Sequence, residues 1–233
     1  MSAVSGKPEA LGRVPLEPLV RGKEWLRHRR RAPLSCSTRS MHEKHGLRRG
    51  LRACREAIDP LSRAASARSV ARHGAQLLRR ARHVGAYWPV GAELDPRPLA
   101  RALMRARHTL YLPVVSRRPG RPLFFRPWRP PFAPGPLRIP EPRWGRRACV
   151  RRLDAVLVPI VGFDARGWRL GQGGGHYDRT FGCVSRKARG RPLLIGIAYE
   201  CQRLVSTPRE GHDVRLHAVL TERRLYRARP LLT

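Results

Sequence analysis

Residues 153–180 constrain the chain more than any other stretch: L-D-A-V-L-V-P-I-V-G-F-D-A-R-G-W-R-L-G-Q-G-G-G-H-Y-D-R-T. Its first part, Ala155 to Val161, is a short run rich in β-branched residues, the pattern of a strand buried on both faces. A turn follows at Asp164-Ala165-Arg166-Gly167, then a cluster of four glycines, Gly171, Gly173, Gly174 and Gly175. Tyr177, Asp178 and Arg179 open a helix expected over His176 to about Lys187. Strand, glycine loop and helix N-terminus together form a phosphate cradle. Glycines let backbone N–H groups approach an anion, and the helix end adds partial positive charge.

The cradle is neither of the two common nucleotide loops. No Gly-Lys-Ser/Thr follows at the spacing of a Walker A loop, and His176 stands where G-x-G-x-x-G needs its third glycine. A glycine cluster alone also suits a structural turn. Its neighbours favour a ligand: Arg169 before it can pair with phosphate, and Asp178 after it is a natural Mg²⁺ ligand beside phosphate oxygens.

The remaining chain alternates helices and strands. Leu47, Leu51, Cys54 and Ile58 recur at helical spacing from Lys44, with Arg48, Arg49, Arg52 and Arg55 expected on the opposite, solvated faces. Asp59-Pro60 reads as an N-cap and first helical residue for a second helix reaching about Arg80. Strands are expected at Val84–Trp88, Thr109–Val115, Leu193–Tyr199 and Leu216–Thr221, with a helix from Pro96 or Pro98 to Arg107. Between Arg117 and Pro142 a proline- and aromatic-rich excursion carries one short edge strand at Leu123–Arg126. The alternation implies an α/β fold: a mostly parallel sheet flanked by helices, a Rossmann-like three-layer single domain with its site at the strand C-terminal ends. Residues 1–40 hold four prolines, the run His28-Arg29-Arg30-Arg31 and no period, and read as a disordered basic extension before a domain over 41–233; Met41 is an alternative start. A transit peptide would suit the arginines but not Glu9, Glu17 and Glu24.

The formal net charge is +33, and only four of the 49 cationic residues are lysine (Lys7, Lys23, Lys44, Lys187). The arginines are spread along the whole chain rather than gathered in a stripe. That favours a coding bias over a dedicated nucleic-acid surface, with nonspecific adhesion to polyanions as its consequence. Carboxylates number sixteen, so Asp154, Asp164, Asp178, Glu200 and Asp213 are informative for being present at all. Five widely spaced cysteines without C-x-x-C suit free thiols in a reducing cytoplasm. No run of about 18 apolar residues suggests a membrane span, and no continuous apolar segment near Met1 suggests a secretory signal.

The central stretch resembles the signature of the 5-formyltetrahydrofolate cyclo-ligase family, the methenyltetrahydrofolate synthetases. Further segments resemble the family in order: Lys44-x-x-Leu47-Arg48-x-x-Leu51-Arg52-x-x-Arg55, Tyr87-Trp88-Pro89-Val90-Gly91-Ala92-Glu93-Leu94-Asp95, Ile139-Pro140-Glu141-Pro142, Gly196-Ile197-Ala198-Tyr199-Glu200-x-Gln202, and His212-Asp213-Val214. The resemblance spans about Lys44 to Glu222. It implies a reaction of ATP with 5-formyltetrahydrofolate, in the presence of Mg²⁺, giving 5,10-methenyltetrahydrofolate, ADP and phosphate. Such chemistry is mostly positioning and charge neutralisation. Carried over, Lys44 and Arg48 would reach the ATP phosphates, and Arg169, Leu170, Gly171, Gln172, Gly173, Gly174, Gly175, His176 and Tyr177 would wrap the nucleotide. Asp178 and Asp213 would hold Mg²⁺, Trp88 would contact the folate and Glu93 would bond the pterin; Arg169 is the candidate for electrostatic catalysis. Taken singly, Trp88 also reads as core, Glu93 as a cap of the following helix and Asp213 as a loop end.

Ile160, Gly162, His176, His217 and Arg138 depart from the family pattern. His217 stands where an Asp is common and Arg138 where Gly is usual, which puts the metal site and the folate-side loop in question. Two other readings follow from the sequence: a nucleotide-binding member of the fold without turnover, and a basic nucleic-acid-binding protein.

Overall fold

The computed structural model describes residues 36–185 and 192–228. Its elements in order are α1 (Cys36–Glu56), α2 (Pro60–Leu77), β1 (His83–Gly85), α3 (Arg97–Arg105), β2 (Thr109–Val114), β3 (Phe124–Pro127), β4 (Phe132–Pro134), β5 (Pro140–Pro142), β6 (Ala155–Pro159), β7 (Gly162–Phe163), β8 (Arg169–Leu170), α4 (His176–Ser185), β9 (Leu193–Ile197), β10 (Ala218–Leu220) and β11 (Leu225–Arg227). The extension expected to be disordered lies outside the described residues up to position 35, and α1 is already helical from Cys36. The expected end of α4 at Lys187 also falls outside them.

Seven strands form one sheet in the order β11-β10-β9-β6-β1-β2-β3. The five inner strands are parallel, and the two edges, β3 on β2 and β11 on β10, are antiparallel. The sheet is therefore mostly parallel with helices packed on both faces, as the alternation requires. β6 shows why its sequence is an unbroken apolar run: Ala155 and Leu157 enter the core under α2 and α3 with Val70, Leu99 and Leu103, while Val156 and Val158 enter the opposite core with Phe181 of α4. Asp59 caps α2 as read from sequence, its carboxylate accepting the Ser62 N–H at 2.9 Å with Pro60 as first helical residue.

Two short hairpins were not expected. β4 and β5 pair antiparallel across the proline-rich excursion, and β7 and β8 pair across the Asp164–Gly167 turn. Each strand is two or three residues long and β4 and β5 carry prolines, so no alternation can be read from them. In the second hairpin Asp164 organises the turn, Oδ1 accepting the N–H groups of Arg166 and Trp168 and Oδ2 that of Thr207. This hairpin delivers Arg169 to the start of the glycine loop. Among the described residues no helix is long and apolar enough to cross a membrane.

Strand order reverses beside β1. The chain runs outward from β1 to β2 and β3, then returns to β1's other side with β6, β9 and β10. The crevice outside the C-terminal ends of β1 and β6 is the switch point at which open α/β sheets take their ligands.

Candidate active site

A cleft of about 650 Å³ opens at that switch point. Its walls are the inner face of α1, the loop after β1, the ends of β2 and β6, the β4–β5 hairpin, the glycine loop with the first turn of α4, and the segment around Glu210 to Asp213. Lys44, Arg48, Trp88, Glu93, Arg169 to Tyr177, Asp178 and Asp213 all line it. Every residue the family resemblance nominates thus reaches one cavity, although together they span most of the domain.

α1 supplies the cationic wall, and here one expectation is corrected. Arg48 and Arg55 are not on a solvated face: Arg55 is 6% exposed, Lys44 is 7% exposed and Arg48 is half-buried. Positions 44, 48, 51 and 55 fall at i, i+4, i+7 and i+11, so the cations share the inward stripe with Leu51. Lys44 Nζ sits 2.8 Å from Glu210 Oε1 and 3.6 Å from Asp213 Oδ2. The Lys44 ammonium holds the Glu210 carboxyl below its ordinary pKa.

The glycine loop is fixed by side chains from outside it. Arg48 Nε donates to the Gly171 carbonyl at 2.8 Å, and Arg179 Nη2 donates to the Gly174 carbonyl at 2.6 Å. Gly173 and Gly175 have φ of +106° and +61°, left-handed backbone that suits glycine. A relay then crosses the cleft: Arg52 Nη2 donates to Gln172 Oε1 at 2.7 Å, Gln172 Nε2 donates to Glu93 Oε1 at 2.9 Å, and Glu93 Oε2 accepts the Val90 N–H at 3.1 Å. Glu93 does not cap α3; Asp95 accepts the Arg97 N–H at that end instead. Burial raises the Glu93 pKa, against the Val90 and Gln172 hydrogen bonds and the nearby Arg55 and Arg52 charges.

Trp88 is part of an aromatic wall rather than the core. Its ring lies 5.4 Å from Phe132 and 6.0 Å from Trp128, with the Arg97 guanidinium 5.8 Å from its centroid. In the β4–β5 hairpin that carries Phe132, Glu141 on β5 accepts the Val115 N–H at 3.0 Å, and burial raises its pKa. His176 sits beside Arg179; burial and then that charge lower its pKa, which keeps the ring neutral at pH 7.

The carboxylates nominated for metal are both in the cleft, each engaged through one oxygen. Asp178 Oδ1 accepts from Arg169 Nη2 at 2.6 Å and from the Val214 N–H at 3.0 Å; Asp213 Oδ2 accepts the Glu210 N–H at 2.7 Å and faces Lys44. Among the described residues no group of three or more His, Cys, Asp or Glu could hold a metal ion. Such a donor set is too small for a dedicated protein cage. It fits Mg²⁺ that arrives with phosphate oxygens and water completing its shell.

Two departures from the family pattern resolve differently. His217 lies at the N-terminal end of β10, its Nδ1 accepting the Leu194 N–H at 2.9 Å, at the opposite end of the sheet from the cleft. An imidazole there takes nothing from the carboxylates that line the site. Arg138 occupies the β4–β5 turn with φ of +58°, between Leu137 and Ile139, which both line the cleft. The sequence reading missed Arg55, Glu141 and Glu210 as individual site residues. Arg55 and Glu141 stood within segments that resemble the family, and nothing in the sequence marked Glu210.

Residues 40–222 match the model of the 5-formyltetrahydrofolate cyclo-ligase family. The 5-formyltetrahydrofolate cyclo-ligase of Haemophilus influenzae is 29% identical over 184 residues, covering 76% of this chain and 97% of that protein. The Escherichia coli protein of the same name is 34% identical over 147 residues, covering 61% and 79%. The solved 5,10-methenyltetrahydrofolate synthetase of Aquifex aeolicus superposes with a TM-score of 0.69 at 28% identity, over 82% of this chain and 95% of that one. That of Mycoplasma pneumoniae shares the fold with a TM-score of 0.62 at 20% identity, over 77% and 99%. With the family match extending from the first turns of α1 to just beyond β10, the chain belongs to the 5-formyltetrahydrofolate cyclo-ligase family.

Proposed function

We propose that this protein converts 5-formyltetrahydrofolate to 5,10-methenyltetrahydrofolate, using ATP and Mg²⁺ and releasing ADP and phosphate. One observation carries the reading. A single cleft joins a cationic, glycine-looped end, with Lys44, Arg48 and Arg169 at a helix N-terminus, to an aromatic end closed by Trp88 and Glu93. The first end suits a triphosphate and the second a flat heterocycle bearing hydrogen-bond donors.

In this reading Lys44 and Arg48 take the phosphates, and the loop from Arg169 through Tyr177 encloses the nucleotide. Lys44 exchanges Glu210 for a phosphate oxygen. Asp178 and Asp213 hold Mg²⁺, which neutralises triphosphate charge when bound. Trp88 packs on the folate, and Glu93 accepts from the N–H donors of the pterin edge. The N5-formyl oxygen attacks the γ-phosphorus as the bond to ADP breaks. N10 then adds to the iminium carbon and loses its proton, and phosphate departs with the C–O bond pair. Arg169, 8% exposed and at the loop's entrance, supplies fixed positive charge toward the phosphates without reorganisation.

The test is spectrophotometric. Protein with ATP, Mg²⁺ and 5-formyltetrahydrofolate is expected to build the methenyl chromophore in proportion to enzyme. Folded protein that yields none overturns the activity. ATP-induced thermal stabilisation without turnover would instead assign a nucleotide-binding member that lacks catalysis. Weak, salt-suppressed adhesion to RNA or DNA follows from the charge of +33 and is expected to leave the ligase rate unchanged. A reducing cytoplasmic setting suits the free thiols of Cys54, Cys149 and Cys201.

A further inference from the structure

Arg55 is the least explained group in the cleft wall. Its side chain is 7% exposed, and its Nε and Nη1 are buried without a hydrogen-bond partner. A guanidinium buried for structural reasons is normally surrounded by acceptors, because orphaned N–H groups on a buried charge are costly. Arg55 instead faces Glu93, whose Oε1 lies 4.0 Å from Nη1 and whose side chain is 8% exposed. The pair is close enough for strong charge coupling and about 1 Å too long for a charge-assisted hydrogen bond.

The other groups around Glu93 do not replace this cation. Arg52, on the same helix, directs Nη2 to Gln172. Gln172 is neutral and already occupies Glu93 Oε1. From the strand side stands Tyr87, which donates to the Leu94 carbonyl at 2.5 Å, and from α4 stands Tyr177; burial keeps both phenols protonated. Among these neighbours Arg55 is the positive charge that approaches Glu93 directly. A carboxylate this enclosed ionises with the help of the Val90 and Gln172 hydrogen bonds and of this cation beside it, and it accepts two ring N–H donors only when ionised.

We propose that Arg55 is a positioning residue of the folate end: it holds the Glu93 carboxylate ionised and aimed at the N–H donors of the substrate's heterocycle, closing the 4.0 Å gap when that ring is bound. This rests on the assignment of Glu93 to the substrate ring under the proposed function. Arg55 acts through Glu93, so its removal affects substrate recognition in a pH-dependent way and leaves the nucleotide end intact.

The experiment measures kcat/KM for 5-formyltetrahydrofolate from pH 5 to 9 in wild type, Arg55→Met, Arg55→Gln, Arg55→Lys and Glu93→Gln, with Arg55→Met also made in the Glu93→Gln background. Neutralising Arg55 is expected to move the acidic limb upward by about one pH unit, and so to lower kcat/KM about tenfold below it, with the KM for ATP unchanged. Arg55→Lys keeps the charge and is expected to keep the limb. In the Glu93→Gln background the Arg55 change is expected to cost less than about twofold, since the two act as one unit. A limb that stays in place in folded Arg55→Met or Arg55→Gln overturns the proposal, as does an equal loss in both backgrounds. Should neither neutral variant fold, a limb displaced in Arg55→Lys overturns it and an unmoved limb supports it. Failure of the parent reading is separate: wild type then gives no methenyl chromophore at any pH.

Discussion

Arg169 and Asp178 are bound to each other at 2.6 Å across the base of the glycine loop, with the Arg169 side chain 5% exposed and that of Asp178 20% exposed. Arg169 also donates through Nη1 to the Val214 carbonyl, and Asp178 accepts the Val214 N–H, so three chain segments meet at one carboxylate. The aspartate proposed to serve a metal is therefore also what neutralises a buried arginine.

Asp178→Ala is accordingly expected to do two things. It removes the proposed metal oxygen, and it strands a buried guanidinium, a change that costs about 3 kcal/mol in comparable pairs. For a domain of this size that lowers Tm by about 10 °C. Asp178→Asn keeps an acceptor for both donors while losing the charge, so it is expected to recover part of the Tm and none of the Mg²⁺-dependent ATP binding. Thermal denaturation and calorimetric ATP titration with and without Mg²⁺ separate the roles. Normal Mg²⁺-dependent binding by Asp178→Asn would refute the metal assignment.

Gly135 gives a second prediction. A Cβ at this position would lie 2.2 Å from the Glu141 carboxyl, so that side chain must swing away from its place on the Val115 N–H. In Gly135→Ala the Glu141 carboxyl is expected to move within the cleft wall that it shares with Leu137 and Ile139. The KM for 5-formyltetrahydrofolate is expected to rise about tenfold with little change in the KM for ATP, a loss of order 1.4 kcal/mol in substrate binding. Equal effects on both substrates would show that the hairpin does not belong to the folate end.

Glu141 also predicts a pH dependence. Burial raises its pKa above 4.5, opposed by the Val115 N–H and the Arg126 charge. Between 4.5 and the raised value the folded state keeps a proton that the unfolded chain has lost. Stability therefore falls as pH rises through that window and the contribution is constant above it. Glu141→Gln cannot titrate, and its amide oxygen can still accept the Val115 N–H. The difference in urea midpoint between Glu141→Gln and wild type is expected to shift in favour of the variant from pH 4.5 to 7. A difference independent of pH would mean that Glu141 is not held protonated by the fold.

Much of the architecture was legible because it rests on local patterns. The run Ala155–Val161 had to be a strand with two apolar faces, and it pairs with β1 and β9 at the sheet's centre. Asp59-Pro60 had to start a helix, and it does. The glycine cluster, which alone suited a structural turn as well, marked the cleft wall once Arg169 and Asp178 beside it were counted. What stayed hidden depends on the third dimension. Arg55 reads as one more arginine in a chain saturated with them, and only the helix phase set by Leu51 and Lys44 shows that it faces inward. His217 put the metal site in question because proximity in sequence to Asp213 says nothing about which end of β10 it occupies. The β4–β5 hairpin, three residues a side with prolines, carries no periodic signal, yet it delivers Glu141 and Ile139 to the cleft.

Lys44 and Glu210 supply the last prediction, because the two partners of this ion pair should act with opposite signs. Lys44 Nζ is held by Glu210 Oε1 at 2.8 Å, with Asp213 Oδ2 at 3.6 Å. A triphosphate bound as proposed would compete with these carboxylates for the same ammonium. Lys44→Gln removes the phosphate contact and is expected to raise the KM for ATP about tenfold or more. Glu210→Gln removes a competitor and a negative charge from the phosphate end, so it is expected to lower the KM for ATP about two- to threefold while Asp213 still orients the lysine. Because the Glu210 side chain is 42% exposed, the loss of its ion pair is expected to change Tm little. If the pair instead served only to anchor α1 against the 210–213 segment, both substitutions would lower Tm and weaken ATP binding together. Steady-state kinetics in ATP with parallel thermal denaturation distinguishes the outcomes, and a raised KM for ATP in folded Glu210→Gln would exclude competition for Lys44.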